Sequence, residues 1–282
     1  KMKRKSTRIA HRIIGPLVLT AFLQTAFILG LLTMGNVFQQ MGENALAMLD
    51  ERTQNKHQSL QMEMKTDWSY LAETEGKALL LIQNLFQKEQ KNYRDIETDA
   101  ALNAEICSAI APEMIARIRS NNVSGAFLIL WGNGNAEEPD CFAGIYLRDL
   151  YPGEDLPDNS DLSLLRGPAE IANVQGIPLS DTWKESFSFP GGAQNDRNAY
   201  FFQPLLASVG KTNATSKSLG YWAPPFLMEK EDRQLVITYS EPLTDEKGNT
   251  YGVLGVEINV DTITSFLCGG EFARSGRGCY FF

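Results

Sequence analysis

The chain has 282 residues, with 26 Lys plus Arg against 34 Asp plus Glu and only two His. Six basic residues (Lys1, Lys3, Arg4, Lys5, Arg8 and Arg12) and no acid lie before residue 35, so the remainder carries a formal charge of −14. That balance argues against nucleic acid as a partner, since phosphate contacts need clustered Lys and Arg, and solubility is explanation enough for the acidity.

An apolar run from Ile13 to Met34 comes after the basic flank, interrupted only by small residues and Gln24. At the helical rise, 22 residues reach about 33 Å, enough for a bilayer core of about 30 Å. The expectation is a cytoplasmic flank (1–12), a transmembrane helix (13–34) and everything later on the outer face of the cell membrane. Two rivals are a cleaved signal peptide, whose apolar region is normally about 7–15 residues, and an apolar core helix. Ala45-Leu46-Ala47 resembles a cleavage site but lies well past the run.

Proline divides the remainder of the chain. The stretch from Asn36 to Asn92 has none and contains only Gly42 and Gly76 as glycines. It is rich in Gln, Glu, Lys, Leu, Met and Ala, all good helix formers. Leu60, Met64, Trp68 and Leu71, then Leu79, Ile82 and Phe86, fall near helical spacing. The pattern predicts a long helix with a break near Gly76, then a shorter helix over 101–120. Residues 35–120 thus read as a stalk, which either pairs with a second copy as a homodimer or packs along its own domain.

From Gly125 the pattern turns to strands, which an antiparallel α+β domain over 121–268 would hold. Expected strands are 126–131, closed by a turn at 132–135, then 141–147, 199–202, 234–240 and 251–258. Asp245-Glu-Lys-Gly248 predicts a hairpin turn between the last two. Asp158-Asn-Ser-Asp161 predicts the cap of a short helix through Leu165, and Asp261 the cap of a helix through Leu267. The cysteines (Cys107, Cys141, Cys268, Cys279) show no CxxC spacing; a Cys268–Cys279 bridge and four isolated thiols both stay open.

Catalytic and cofactor signatures are missing. His11 and His57 are the only histidines, so Ser–His–Asp, Cys–His and His-containing zinc sites have no imidazole after Gln58. No phosphate-binding glycine loop occurs. Neither a cofactor nor a metal is expected. Paired carboxylates remain numerically available, but no spacing singles out a pair.

The membrane-proximal helix, the sheet pattern and the ending Ile237-Thr-Tyr-Ser-Glu-Pro-Leu243 … Gly248 … Tyr251-Gly-Val-Leu-Gly-Val-Glu-Ile258 resemble the double Cache (dCache) sensor domain. This family forms extracytoplasmic parts of bacterial chemoreceptors, sensor histidine kinases and diguanylate cyclases. The resemblance covers roughly 36–282. It implies a PAS-like sheet, no enzyme activity in this chain, and a second membrane-proximal module of which 269–282 would be the start. It also implies a missing cytoplasmic output domain: a diguanylate cyclase or histidine kinase, with a chemoreceptor third.

Trp183, Tyr200, Tyr221, Trp222 and Tyr239 fall in segments that resemble those walling the family's ligand cavity, as do Phe202 and Phe226, the two best explained as core. In the last strand Leu254, Val256 and Ile258 share one face, and Val253, Gly255 and Glu257 the other. Glu257 on a cavity face would need a partner, either an amine-bearing ligand or a protein cation such as Arg166 or Arg197, unless it is simply exposed at the sheet edge. The amino-acid-binding motif of the family, Arg-x-Trp-Tyr-x-x-Ala, is only partly matched by Arg197, Ala199 and Tyr200, and Phe226-Leu-Met228 lacks the family's acid. The expected function is a small-molecule sensor that relays binding through the membrane. A cell-surface hydrolase with paired acids and a structural or adhesion protein are the alternatives.

Overall fold

The computed structural model describes residues 3–35, 37–121, 123–132, 141–151, 156, 158–211, 214–228 and 234–267. Two compact units divide the chain, 1–59 and 60–282.

The first unit is helical. Helix α1 (Lys3–Met34) contains the apolar span Ile13–Met34, long and apolar enough to cross a membrane and with no part buried in protein. Its polar hydroxyls are hidden locally: Thr20, Thr25 and Thr33 donate to the carbonyls of Pro16, Ala21 and Leu29 at 2.9–3.1 Å. Such back-bonding suits a helix without water around it. Helix α2 (Val37–Met62) comes next, with Phe38, Met41, Leu46, Met48 and Leu49 exposed.

In the second unit the helix runs into a π-helical turn, Glu63–Trp68. Helix α3 (Ala72–Glu89) then holds Gly76 in its interior, so the expected break falls at residues 69–71 instead. Nothing within 4 Å crowds the missing Cβ of Gly76, and a single glycine costs a helix only about 1 kcal/mol. Helix α4 (Ala100–Asn121) matches its expected span within a residue. Its Ile106, Ile110, Met114 and Ile118 repeat every four residues and are fully buried, with Cys107 and Ala111 beside them.

The strands are β1 (Gly125–Leu130), β2 (Cys141–Phe142), β3 (Gly144–Asp149), β4 (Leu162–Arg166), β5 (Leu179–Lys184), β6 (Phe187–Ser188), β7 (Tyr221–Trp222), β8 (Val236–Thr244) and β9 (Thr250–Asn259). Helices α5 (Ala169–Gln175), α6 (Ala199–Ser208) and α7 (Val260–Leu267) lie between and after them. Seven strands make one sheet in the order β5-β4-β3-β1-β9-β8-β7, antiparallel throughout except for β4 with β5. Strands β2 and β6 form a small second sheet.

Two apolar clusters cover the two faces. Leu254, Val256 and Ile258 of β9 pack with α3 and α4, while Val253 packs with Phe127, Tyr200 and Phe201 on the α6 face. The alternation read from β9 is therefore correct. Gly255 has a different use from the one expected. A Cβ there would lie 2.3 Å from Phe127 Cζ, so the glycine makes room for that ring, its cross-strand partner, rather than for Glu257.

Three local expectations are overturned. Residues 199–202 start a helix, not a strand. Pro204 has no N–H for the Tyr200 carbonyl, and Ser240 Oγ of β8 donates to that oxygen at 2.6 Å instead. Asp158 does not start a helix: its carboxylate closes a turn by accepting from Ser160 N and Oγ, and the buried Leu162–Arg166 segment pairs with β3. Helix α7 is capped by Asn259, whose Oδ1 accepts from Asp261 N at 2.9 Å. The hairpin turn is as expected, with Asp245 N donating to Asn249 O and Gly248 N to Asp245 O. Residues 133–135, the Cys268–Cys279 pair and the segment 269–282 lie outside the described residues; Cys107 is a buried free thiol.

Candidate functional site

A cavity of about 500 Å³ opens on the α6 face of the sheet. Its walls are aromatic: Phe187, Phe189, Tyr200 and Phe226. These rings fix one another. Tyr200 stacks on Phe226 at 5.5 Å, meets Phe127 edge-on at 5.5 Å, and touches Phe189 at 5.9 Å. Phe189 in turn stacks on Phe201 at 4.7 Å with the planes 7° apart. A wall built this way is pre-formed, which lowers the ordering cost of binding.

The polar groups at the cavity come from loops and strand ends. Asn198 Nδ2 donates to Gly192 O at 2.8 Å and Asn195 Nδ2 to Pro190 O at 3.1 Å, which holds both amides beside the opening. Arg166, at the end of β4, is buried, and its Nη1 donates to the carbonyls of Leu165 and Thr182 at 2.7 and 3.0 Å. Lys184 and Arg197 are exposed and also line the cavity. The described lining thus holds three cations and no carboxylate.

Of the six residues expected at the site, Tyr200 alone lines this cavity. Trp183 donates its Nε1 to Gly167 O at 3.0 Å and packs against the α3–α4 cluster. Tyr221 packs on the α6 face but is absent from the lining. Trp222 rests on Tyr239, ring centres 4.9 Å apart, and both belong to the opposite, α3–α4 face. Phe202 is core, as expected, while Phe226 turns out to be cavity wall.

Glu257 is 1% exposed and accepts from Tyr146 OH. Its cation is neither Arg166 nor Arg197 but Arg148, with Nη2 2.9 Å from Oε2 and Nε 3.0 Å from Oε1. Register explains the pair. Gly125 on β1 lies directly between Arg148 on β3 and Glu257 on β9, and its missing side chain lets the two meet across a whole strand. Glu257 therefore makes no demand for an amine-bearing ligand.

Sequence reasoning named Arg166 only as a partner for Glu257 and missed Lys184, Phe187, Phe189, Asn195 and Asn198. Phe187-Ser-Phe-Pro-Gly-Gly192, an aromatic alternation running into a turn ten residues before Tyr200, was the available signal.

Residues 206–265, from the end of α6 through β9 and into α7, match a family model described as methyl-accepting chemotaxis protein-like, first PDC sensor domain. The matched stretch includes the β8–β9 hairpin. The matched family is a sensing family of transmembrane receptors, in keeping with the dCache resemblance. No curated protein matches the chain. Among solved structures, the ligand-binding domain of the Campylobacter jejuni chemoreceptor Tlp3 in complex with L-valine is 14% identical, with a TM-score of 0.33 over 71% of this chain and 65% of its own. A chain named methyl-accepting chemotaxis protein X is 12% identical, with a TM-score of 0.38 over 80% of this chain and 67% of its own. The periplasmic sensory domain of C. jejuni Tlp1 is 15% identical, with a TM-score of 0.32 over 73% of this chain and 59% of its own. The chain thus spans about two thirds or less of the length of these structures.

Proposed function

We propose that the chain is the extracytoplasmic small-molecule-sensing part of a membrane-bound signalling receptor, with its ligand in the cavity between α6, β6 and the loop that carries Phe226. The observation that carries the reading is a pre-formed aromatic cavity on a sheet whose hairpin matches a PDC sensor domain. The apolar span 13–34 with its basic flank supports anchoring with the amino end in the cytoplasm. Residues 35–120 serve as the signalling stalk, 121–268 as the sensing module and 269–282 as the start of the next module. A homodimer through the stalk and an output domain of the cyclase or kinase type complete the proposal.

The ligand class is set by the lining. Arg166, Lys184 and Arg197 all line a cavity whose wall is part aromatic and part polar. A carboxylate or comparable anion with an apolar body suits such a lining. Arg166 and Arg197 offer forked donors for it and Lys184 a point charge.

The test uses the full chain in lipid nanodiscs and a thermal-shift panel of carboxylates, amino acids and amines. Stabilisation by a carboxylate, abolished in Ser188→Trp, is the expected result, because Ser188 is an exposed lining residue that a large ring would plug without touching the core. Stabilisation untouched by Ser188→Trp puts the ligand elsewhere, and turnover of any panel member shown by mass spectrometry favours the hydrolase alternative. For a chain whose Cys141 is first shown to be reduced and accessible after lysis, a cell-surface orientation requires it to react with a membrane-impermeant thiol reagent in intact cells as well.

A further inference from the structure

The face of the sheet turned away from the cavity carries a second buried acid. Glu241 of β8 is 3% exposed, between α3, α4 and the turn Ser216–Leu219. Tyr239 OH donates to its Oε1 at 2.6 Å, and Gly220 leaves the space for that hydroxyl, since a Cβ there would lie 2.2 Å from it. Facing Glu241 are Glu75 of α3, which accepts from Ser216 Oγ, Arg117 of α4, and Lys217 beside Ser216. Unlike Glu257, Glu241 has no direct ion pair among the described residues.

Arg117 is the group that could become its partner. It is 6% exposed, and Nη2 donates to the carbonyls of Asp67 and Trp68 at 2.6 and 3.0 Å. Those carbonyls end the π-helical turn Glu63–Trp68, where the last turn has lost its ordinary helical acceptor pattern. Arg117 Nε is buried with no hydrogen-bond partner, and so is Trp68 Nε1 beside it. A buried guanidinium with an orphan N–H is costly, because the unmade bond leaves the desolvation of a charged donor without compensation.

We propose that Glu241 is a proton-binding site, a second sensory input, and that its protonation selects whether Arg117 clamps the π-helical turn. With the carboxyl protonated, Arg117 stays on the Asp67 and Trp68 carbonyls, with the carboxylates of Asp67 and Glu73 as the acids that still act on it. When the proton leaves to solvent, the carboxylate draws the guanidinium, Nε gains an acceptor, and the two carbonyls are released. A π-turn holds one extra residue in the helix, so its release lets the segment 63–68 relax in register. That segment continues α2, so the change enters the helix proposed above as the signalling stalk. The site is independent of the small-molecule cavity and lies on the other face of β8.

The environment sets the range. Burial pushes the Glu241 carboxyl up to about 7, with Tyr239 and then Lys217 and Arg117 pulling it down and Glu75 adding to the rise. Burial likewise raises Glu75 and lowers Arg117 to about 10, so Arg117 stays charged through the transition. Within the turn, Glu63 is also raised, by burial and then by a hydrogen bond with Asp67.

The experiment is hydrogen exchange on the full chain in nanodiscs at pH 5.5 and 8.5, corrected for intrinsic rates, reading amides 64–71. Protection is expected to fall at least tenfold at the higher pH in the native chain and to stay at its low-pH level at both values in Glu241→Gln. Arg117→Met is expected to lose protection at both. Glu63→Gln is the control for the neighbouring acid and should keep the native response. Equal protection at both pH values in the native chain overturns the proposal, as does a pH response that survives Glu241→Gln or disappears in Glu63→Gln.

Discussion

Glu241 and Glu257 are two buried glutamates on adjacent strands, and they are treated in opposite ways. Glu257 sits on the cavity face, where Arg148 reaches it across Gly125 and Tyr146 adds a hydroxyl. Glu241 sits on the helix face, where its one direct partner among the described residues is the neutral Tyr239 and the facing guanidinium of Arg117 is committed to backbone carbonyls. A directly paired acid locks three strands together. A carboxyl left without its cation stays sensitive to the proton concentration. The same residue type thus provides rigidity on one face and responsiveness on the other, decided by whether the cation that faces it is already bound elsewhere.

The largest expected effect comes from breaking the locked pair. Arg148→Met strands a buried carboxylate, and destabilisation of about 3–5 kcal/mol is expected in chemical unfolding. The double replacement Arg148→Met with Glu257→Leu should recover most of it, and failure to recover would mean that the pair acts through something other than its charges. Next comes Glu241→Gln. Folding raises this carboxyl from an ordinary 4.5 to about 7, so the native chain is relatively most stable below 4.5, loses stability as pH rises, and loses no more above about 7. Removing the charge should stabilise the chain by on the order of 2–3 kcal/mol at pH 8, and leave it nearly unchanged at pH 4. A variant that is equally or less stable at pH 8 would remove the contrast between the two acids.

Smaller still is Ser240→Ala, which takes the donor from the Tyr200 carbonyl and should cost about 1 kcal/mol. Adding Pro204→Ala restores an N–H four residues on from Tyr200, so the two changes should be non-additive in a double-mutant cycle. Additivity would show that Ser240 does not compensate for the proline.

The parts of this fold that were legible in the sequence are those whose cause is local. The β8–β9 hairpin comes from alternation and an Asp-to-Gly turn, and α4 from apolar residues every four positions. The membrane-length span of α1 needed only counting. The elements that failed depended on partners distant in sequence. Ala199-Tyr-Phe-Phe202 has the composition of a strand, yet it becomes helix because the α6 face needs aromatic cover and Ser240, forty residues on, takes the carbonyl that Pro204 cannot. The candidate site shows the same limit. Tyr200 was found through the resemblance to the family's cavity-walling segments, but Arg166, Lys184 and Phe187 reach the cavity through the parallel β4–β5 pairing and the β2–β6 pair, which no short pattern announces. Glu257 was singled out correctly as a buried acid. Its partner was not, because Arg148 comes 109 residues earlier and meets it only once β1 is threaded between them.

Cys107, fully buried in α4, has a practical consequence. Burial pushes its thiol up to about 12, so almost no thiolate exists at neutral pH and attack by oxidants or alkylating reagents waits for the helix to leave the sheet. The residue is thus a natural clock for the lifetime of the folded module: its rate of modification counts openings one molecule at a time, without a probe being introduced.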